Sequence, residues 1–87
     1  MPALARRTRE ETLERVIQLI SEIGGIGLVA AEGGFYEAGF SSVRALELLL
    51  ALETEFGVTI PDKDFVRART PRAIVALLER LQQKETV

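Results

Sequence analysis

Three stretches of the chain repeat apolar residues at helical spacing, and the glycine-rich and polar segments between them mark where each helix stops. In the first stretch, Leu13, Val16, Ile17 and Ile20 follow Thr8 and Glu11, whose spacing matches a capping box, so a helix is predicted from about Arg9 to Glu22. Gly24, Gly25 and Gly27 end it, because successive glycines cost about 1 kcal/mol each inside a helix and readily take the left-handed C-terminal position. In the second stretch, Val43, Leu46, Leu49, Leu50 and Glu53 share one flank, and Ala45, Leu48, Leu52 and Phe56 share the next. That predicts a helix from about Ser42 to Glu55, buried on more than one side and stopped by Gly57. In the third, Thr70 and Pro71 supply an N-cap hydroxyl and a proline at the first helical position, ahead of Ile74, Leu77, Leu78 and Leu81. This last helix is predicted over Pro71 to Gln83.

The connection from Gly24 to Ser41 is long for a loop without regular structure. It carries Ile26, Leu28, Val29, Phe35, Tyr36 and Phe40, too many large apolar groups for a free linker, so it is predicted to be pinned to the core, with a helical turn near Val29 to Glu32. Val58 to Ile60 is prone to extended structure but has no partner strand, which makes it a connector. Pro61 and Asp62 start a brief helical turn through about Val66. The sum is an all-α fold: a small four-helix bundle of three longer helices and one short helix, with a long first loop, in one domain over residues 1–87 whose ends, 1–8 and 84–87, fray. Val16, Ile20, Leu46, Leu49, Leu50, Phe56, Ile60, Ile74 and Leu77 are its predicted core.

Composition narrows the chemistry. With 47% apolar and 28% charged residues, 87 residues make one globular domain with a small core and no room for a deep active-site cleft. The chain has no Cys and no His, so it cannot build a nucleophilic Cys–His or Ser–His–Asp centre, a thiolate or imidazole zinc site, or a disulfide; it is not expected to be an enzyme. No apolar run reaches the roughly 18 residues that span a bilayer, and residues 1–9 hold three arginines without an apolar signal core, so a cytoplasmic protein free of the membrane is expected. Net charge is −2 but unevenly spread: residues 21–56 carry six acids against Arg44, and residues 63–84 carry six bases against two acids. The acidic middle segment favours a basic protein partner and repels nucleic acid.

Within this frame the serine pair Ser41-Ser42 stands out, because it follows the glycine-rich loop and opens the second helix. Unpaired N–H groups and the positive end of the helix dipole favour a phosphate there, and Ser42 is read as carrying one. The plain alternative is that Ser42 is an N-cap, and Ser41 is equally placed to be the cap.

The stretch FYEAGFSSVRALELLLALETEFGVTIPDKDF, followed by TPRAIVALLERL, resembles the acyl and peptidyl carrier proteins. Glu37, Gly39 and Ser42 stand for that family's acid, glycine and modified serine, Glu53 to Phe56 for its acidic-aromatic helix end, and Ile60-Pro61-Asp62 for its Ile-Pro-Asp. Ser41 replaces the family's Asp before the serine, and Val43 replaces the Leu after it. The resemblance implies an acyl-carrier-type bundle with 4′-phosphopantetheine on Ser42, holding a carboxylic or amino acid as a thioester. It implies as partners a phosphopantetheinyl transferase, an adenylating enzyme that activates the cargo acid, and downstream acyl-accepting enzymes, served by a monomer. The aromatic-rich GFYEAG followed by Phe-Ser-Ser is similar to discrete aminoacyl and D-alanyl carriers, which favours an amino acid or unusual starter unit as cargo.

Phe40, Ser41, Val43, Arg44 and Glu47 are read as a docking face, against the plainer reading of a solvated flank with an i,i+3 ion pair. Phe35, Tyr36 and Phe40 are read as anchors of the loop rather than a cargo pocket, and Arg67, Arg69 and Arg72 as a solvated rim rather than a nucleic-acid site. A different class of answer is an unmodified helical adaptor of the same fold that binds a protein through the second helix.

Overall fold

The computed structural model describes residues 8–85. Its helices are α1 (Arg9–Gly24), α2 (Ala45–Phe56), α3 (Asp62–Arg67) and α4 (Pro71–Glu85), with a 3-10 turn, Ser42–Arg44, leading into α2. No strand occurs among the described residues, and Val58–Ile60 is an extended connector as predicted. No helix among them is long and apolar enough to cross a membrane.

The helix boundaries follow their capping chemistry. Thr8 Oγ1 accepts from the Glu11 N–H at 3.1 Å while the Glu11 carboxylate accepts from the Thr8 N–H at 3.0 Å, so Thr8 is the ordered cap of α1. At the other end Gly25 sits at φ 64°, and its N–H donates to the Ser21 carbonyl, so the helix runs two residues beyond Glu22. Thr70 Oγ1 accepts from the Ala73 N–H at 3.0 Å and starts α4, which continues through Glu85 instead of ending at Gln83. Fraying at 1–7 and 86–87 lies outside the described residues.

α1 packs against both α2 and α4, and α3 closes one end against α4. The core draws Val16 and Ile20 from α1, Leu48 and Leu52 from α2, and Ile74 and Leu78 from α4, all nearly or fully inaccessible. Side-chain pairs tie the elements together at the rim. Arg15 grips Glu55 with two hydrogen bonds, at 2.9 and 3.2 Å, between α1 and α2, and the Glu53 carboxylate accepts from the Ile60 N–H at 2.8 Å to fix the connector.

The predicted core requires a correction at two positions. Leu46 and Leu50 are 62% and 52% exposed, while Leu48, Leu49 and Leu52 are buried. An α2 of this length has two apolar stripes, and the one containing Ala45, Leu48, Leu52 and Phe56 meets the other helices; the stripe through Val43, Leu46 and Leu50 faces water.

The long first loop is pinned, as its apolar content predicts. Phe35 is fully buried and Val29 and Phe40 nearly so. A turn closes between Ala30 and Gly33, slightly later than expected, and a second one folds residues 34–40, where the Phe40 N–H donates to the Phe35 carbonyl at 3.0 Å. Two main-chain bonds fasten the loop to the α3–α4 junction: Phe35 N–H to the Arg69 carbonyl at 3.2 Å, and Arg72 N–H, in the first turn of α4, to the Ala31 carbonyl at 2.9 Å.

Candidate functional site

The loop delivers the serine pair to the surface. Gly39 at φ 113° makes a reversal that side-chain-bearing residues rarely adopt, after which Phe40 turns inward and Ser41 begins the 3-10 turn. Phe40 lies so close to the end of α1 that a Cβ on Gly24 would collide with its ring. Phe35, Tyr36 and Phe40 form a cluster with ring centroids 4.7 to 5.9 Å apart, two of the three pairs edge-to-face. This is the anchoring role expected of the aromatics.

The two serines divide the work. Ser41, in extended backbone, is the N-cap: its Oγ accepts from the Val43 N–H at 3.2 Å, and its carbonyl accepts from the Arg44 N–H at 2.9 Å. Ser42 is the first residue of the 3-10 turn, exposed, and its hydroxyl takes part in no hydrogen bond among the described residues. The capping role that competes with a chemical role at Ser42 is therefore filled by its neighbour.

Beside Ser42 a groove of about 520 Å³ runs between the start of α2 and α3, lined by Tyr36, Phe40, Ser42, Ala45, Phe65, Val66 and Arg69. Its floor is apolar, and its one charged side chain is Arg69, whose guanidinium stands 5.1 Å over the Tyr36 ring. Burial pushes the Tyr36 phenol above its ordinary pKa of 10.0, and the Arg69 charge pulls it partly back. Nothing in the sequence pattern pairs these two residues, since the main-chain bond from Phe35 to Arg69 is what brings them together.

Of the expected docking residues, Ser41, Val43, Arg44 and Glu47 are exposed on one side of the turn and α2. Phe40 is corrected: at 3% exposure it supports the loop from within and, apart from the edge it lends to the groove, takes no part in the exposed face. Leu46 and Leu50 join the face with Val43, which is 85% exposed, as an apolar stripe at i, i+3 and i+7 spacing that a helical projection of the sequence contains. Arg44 pairs with Glu47 at 3.2 Å, so the charges on this face compensate each other. Part of the acidic character read from the middle segment is offset in three dimensions, because Glu32 meets Arg72 at 3.7 Å and Glu55 meets Arg15, while Glu53 is turned to a backbone N–H. Among the described residues no cluster of three or more ligating side chains gathers for a metal.

Comparison with known proteins meets this geometry. Residues 14–78 match the family model described as phosphopantetheine attachment site. The chain is 30% identical over 78 residues to the acyl carrier protein of Rhodococcus erythropolis, covering 86% of each. It is 29% identical over 80 residues to the meromycolate extension acyl carrier protein of Mycobacterium tuberculosis, covering 88% of this chain and 70% of that one. Its fold is similar to the solution structure of the acetyl actinorhodin acyl carrier protein from Streptomyces coelicolor, with a TM-score of 0.65 at 26% identity, covering 94% and 98% of the two chains.

Proposed function

The chain belongs to the acyl and peptidyl carrier protein family, whose attachment-site module spans most of it, and from that premise we propose that Ser42 bears the 4′-phosphopantetheine group and that the protein carries an acyl group in a biosynthetic pathway. Proteins of this family are carriers rather than enzymes, and they work with phosphopantetheinyl transferases and acyl-handling enzymes. When bound, the prosthetic group supplies the thiol that this cysteine-free chain lacks, on which a carboxylic acid is held as a thioester.

The observation that carries the choice of residue is the division between the serines. Ser41 spends its hydroxyl on the Val43 N–H, whereas Ser42 keeps an exposed, uncommitted hydroxyl at the start of the turn. Both the transferase and its substrate can reach that oxygen without unfolding anything, and the positive end of the α2 dipole favours the phosphate it would hold. Val43, Leu46 and Leu50, rimmed by Ser41, Arg44 and Glu47, are the face we assign to partner enzymes; an apolar centre with compensated charge gives a short-lived complex that releases the carrier after each visit.

The same reading makes the protein a cytoplasmic monomer. For the cargo, the relatives are named as acyl carriers, which supports an acyl group. An amino acid supplied by an adenylating enzyme is the second reading, favoured by the aromatic-rich GFYEAG followed by Phe-Ser-Ser.

The test is intact-mass analysis after incubation with coenzyme A and a broad-specificity transferase. A gain of one phosphopantetheinyl group that disappears in Ser42→Ala and persists in Ser41→Ala is the expected result. No gain with several transferases would instead make the protein an unmodified helical adaptor. Loading the modified protein with acyl-coenzyme A and an acyltransferase, or with amino acids, ATP and an adenylating enzyme, separates the two cargo readings.

A further inference from the structure

The arginines of this fold are nearly all spoken for. Arg9 pairs with Glu79, Arg15 with Glu55, Arg44 with Glu47, Arg72 with Glu32 and Arg80 with Asp64. Among the described residues, Arg67 and Arg69 alone have no acidic partner, and Arg67 lines a different cavity with Asp64 and Arg80. Arg69 lines the groove that Ser42 opens into, where no acid competes for it. An exposed guanidinium at the edge of a largely apolar groove, with no acid beside it, is free to pair with an anion.

Arg69 is also held ready. Its carbonyl is tied to the Phe35 N–H at 3.2 Å, and its guanidinium rests over the Tyr36 ring, which favours a planar cation while leaving its N–H edge available. Arg44 is nearer to Ser42 in sequence, but it is already paired with Glu47 and does not line the groove.

We propose that Arg69 is the positioning residue for the phosphodiester carried on Ser42: its guanidinium pairs with that anion at the groove and biases the attached arm to lie along α3 over Phe65 and Val66. This rests on Ser42 being the attachment site. The fork of N–H donors suits two phosphate oxygens, and the attraction between solvent-exposed charges is a weak, salt-sensitive bias, which holds the arm without trapping it.

The chain contains no cysteine, so a nitroxide reagent attaches only to the thiol of the modified protein and reports where the arm lies. Paramagnetic relaxation enhancement at the amides of Phe65 and Val66 is expected to fall about two- to fivefold in Arg69→Gln, the range an exposed ion pair supplies, to be largely kept in Arg69→Lys, and to fall in wild type at high salt. The Arg69 Nε–H resonance is expected to move between the unmodified and modified protein. The fold of Arg69→Gln is checked by its thermal melt, since the structural bond at this position belongs to the main chain. Equal enhancement in wild type and Arg69→Gln, or an Arg69 signal that does not move on modification, overturns the proposal. A signal that moves only once a carboxylate-ended acyl group is loaded also overturns it, and assigns Arg69 to cargo. Failure of Ser42 to gain mass is a separate result that removes the attachment reading itself.

Discussion

The loop of residues 25–41 and the first two turns leading into α2 adjoin in the chain and divide their apolar residues differently. The loop, without regular structure, hides Val29, Phe35 and Phe40 and exposes Leu28, whereas the ordered turn and helix that follow bury Leu48 and Leu49 and leave a whole stripe, Val43, Leu46 and Leu50, in water. Regular structure satisfies its own backbone, so α2 can afford an exposed face; an irregular loop stays put only by burying side chains and bonding its backbone to neighbouring elements. The irregular region is thus wholly structural here, while the regular region both fills the core and leaves an apolar stripe exposed.

The strongest way to break that contrast is to empty the loop's anchor. Phe35→Ala removes a fully buried ring and is expected to cost about 3–5 kcal/mol, lowering the melting midpoint by more than about 10 °C. A loss below about 1 kcal/mol in a urea melt would show a loop that sits on the bundle without supporting it. Within α2 the two stripes should separate cleanly. Leu48→Ala is expected to cost about 2–5 kcal/mol, and Leu46→Ala to stay within about 0.5 kcal/mol, while weakening association with a partner enzyme. Equal costs at the two positions would place Leu46 in the core after all.

The serines sharpen the same boundary. Ser41→Ala should lose about 0.5–1 kcal/mol of stability as a cap, and Ser42→Ala almost none, although only the latter is expected to abolish modification. Reversed costs in thermal melts would move the cap, and with it the free hydroxyl. The smallest effect concerns Tyr36, the chain's one tyrosine. Its folded pKa is raised, chiefly by burial, so the unfolded chain gives up the phenolic proton first as pH climbs past about 10. Stability is therefore expected to be at its full value below that pH and to decline above it, and this part of the decline should vanish in Tyr36→Phe. A pH–stability profile identical in the two proteins would mean that the phenol is as solvated as in the unfolded chain.

Much of the fold was legible because its signals are local. Thr8 with Glu11, Gly25, Gly57 and Thr70 with Pro71 each set a helix end through bonds spanning a few residues. The choice between the two stripes of α2 was not local. Leu46 and Leu48 are chemically identical, and only the placement of α1 and α4 decides which is buried. The place of Ser42 at the start of the second helical segment was legible, but the role of Ser41 as cap needed the turn geometry. The groove was illegible for a further reason: Tyr36 and Arg69 meet because main-chain groups bond across more than thirty residues, and main-chain groups leave no mark in a sequence.

Those cross-loop bonds have an evolutionary consequence. Neither Phe35 N–H to Arg69 C=O nor Arg72 N–H to Ala31 C=O depends on the side chains at 69 and 72, both of which are exposed. The rim beside the serine can be repainted, from cationic to neutral or acidic, without loosening the frame beneath it. A carrier built this way can be handed to a new set of enzymes by changing a few exposed positions while its bundle stays as it is.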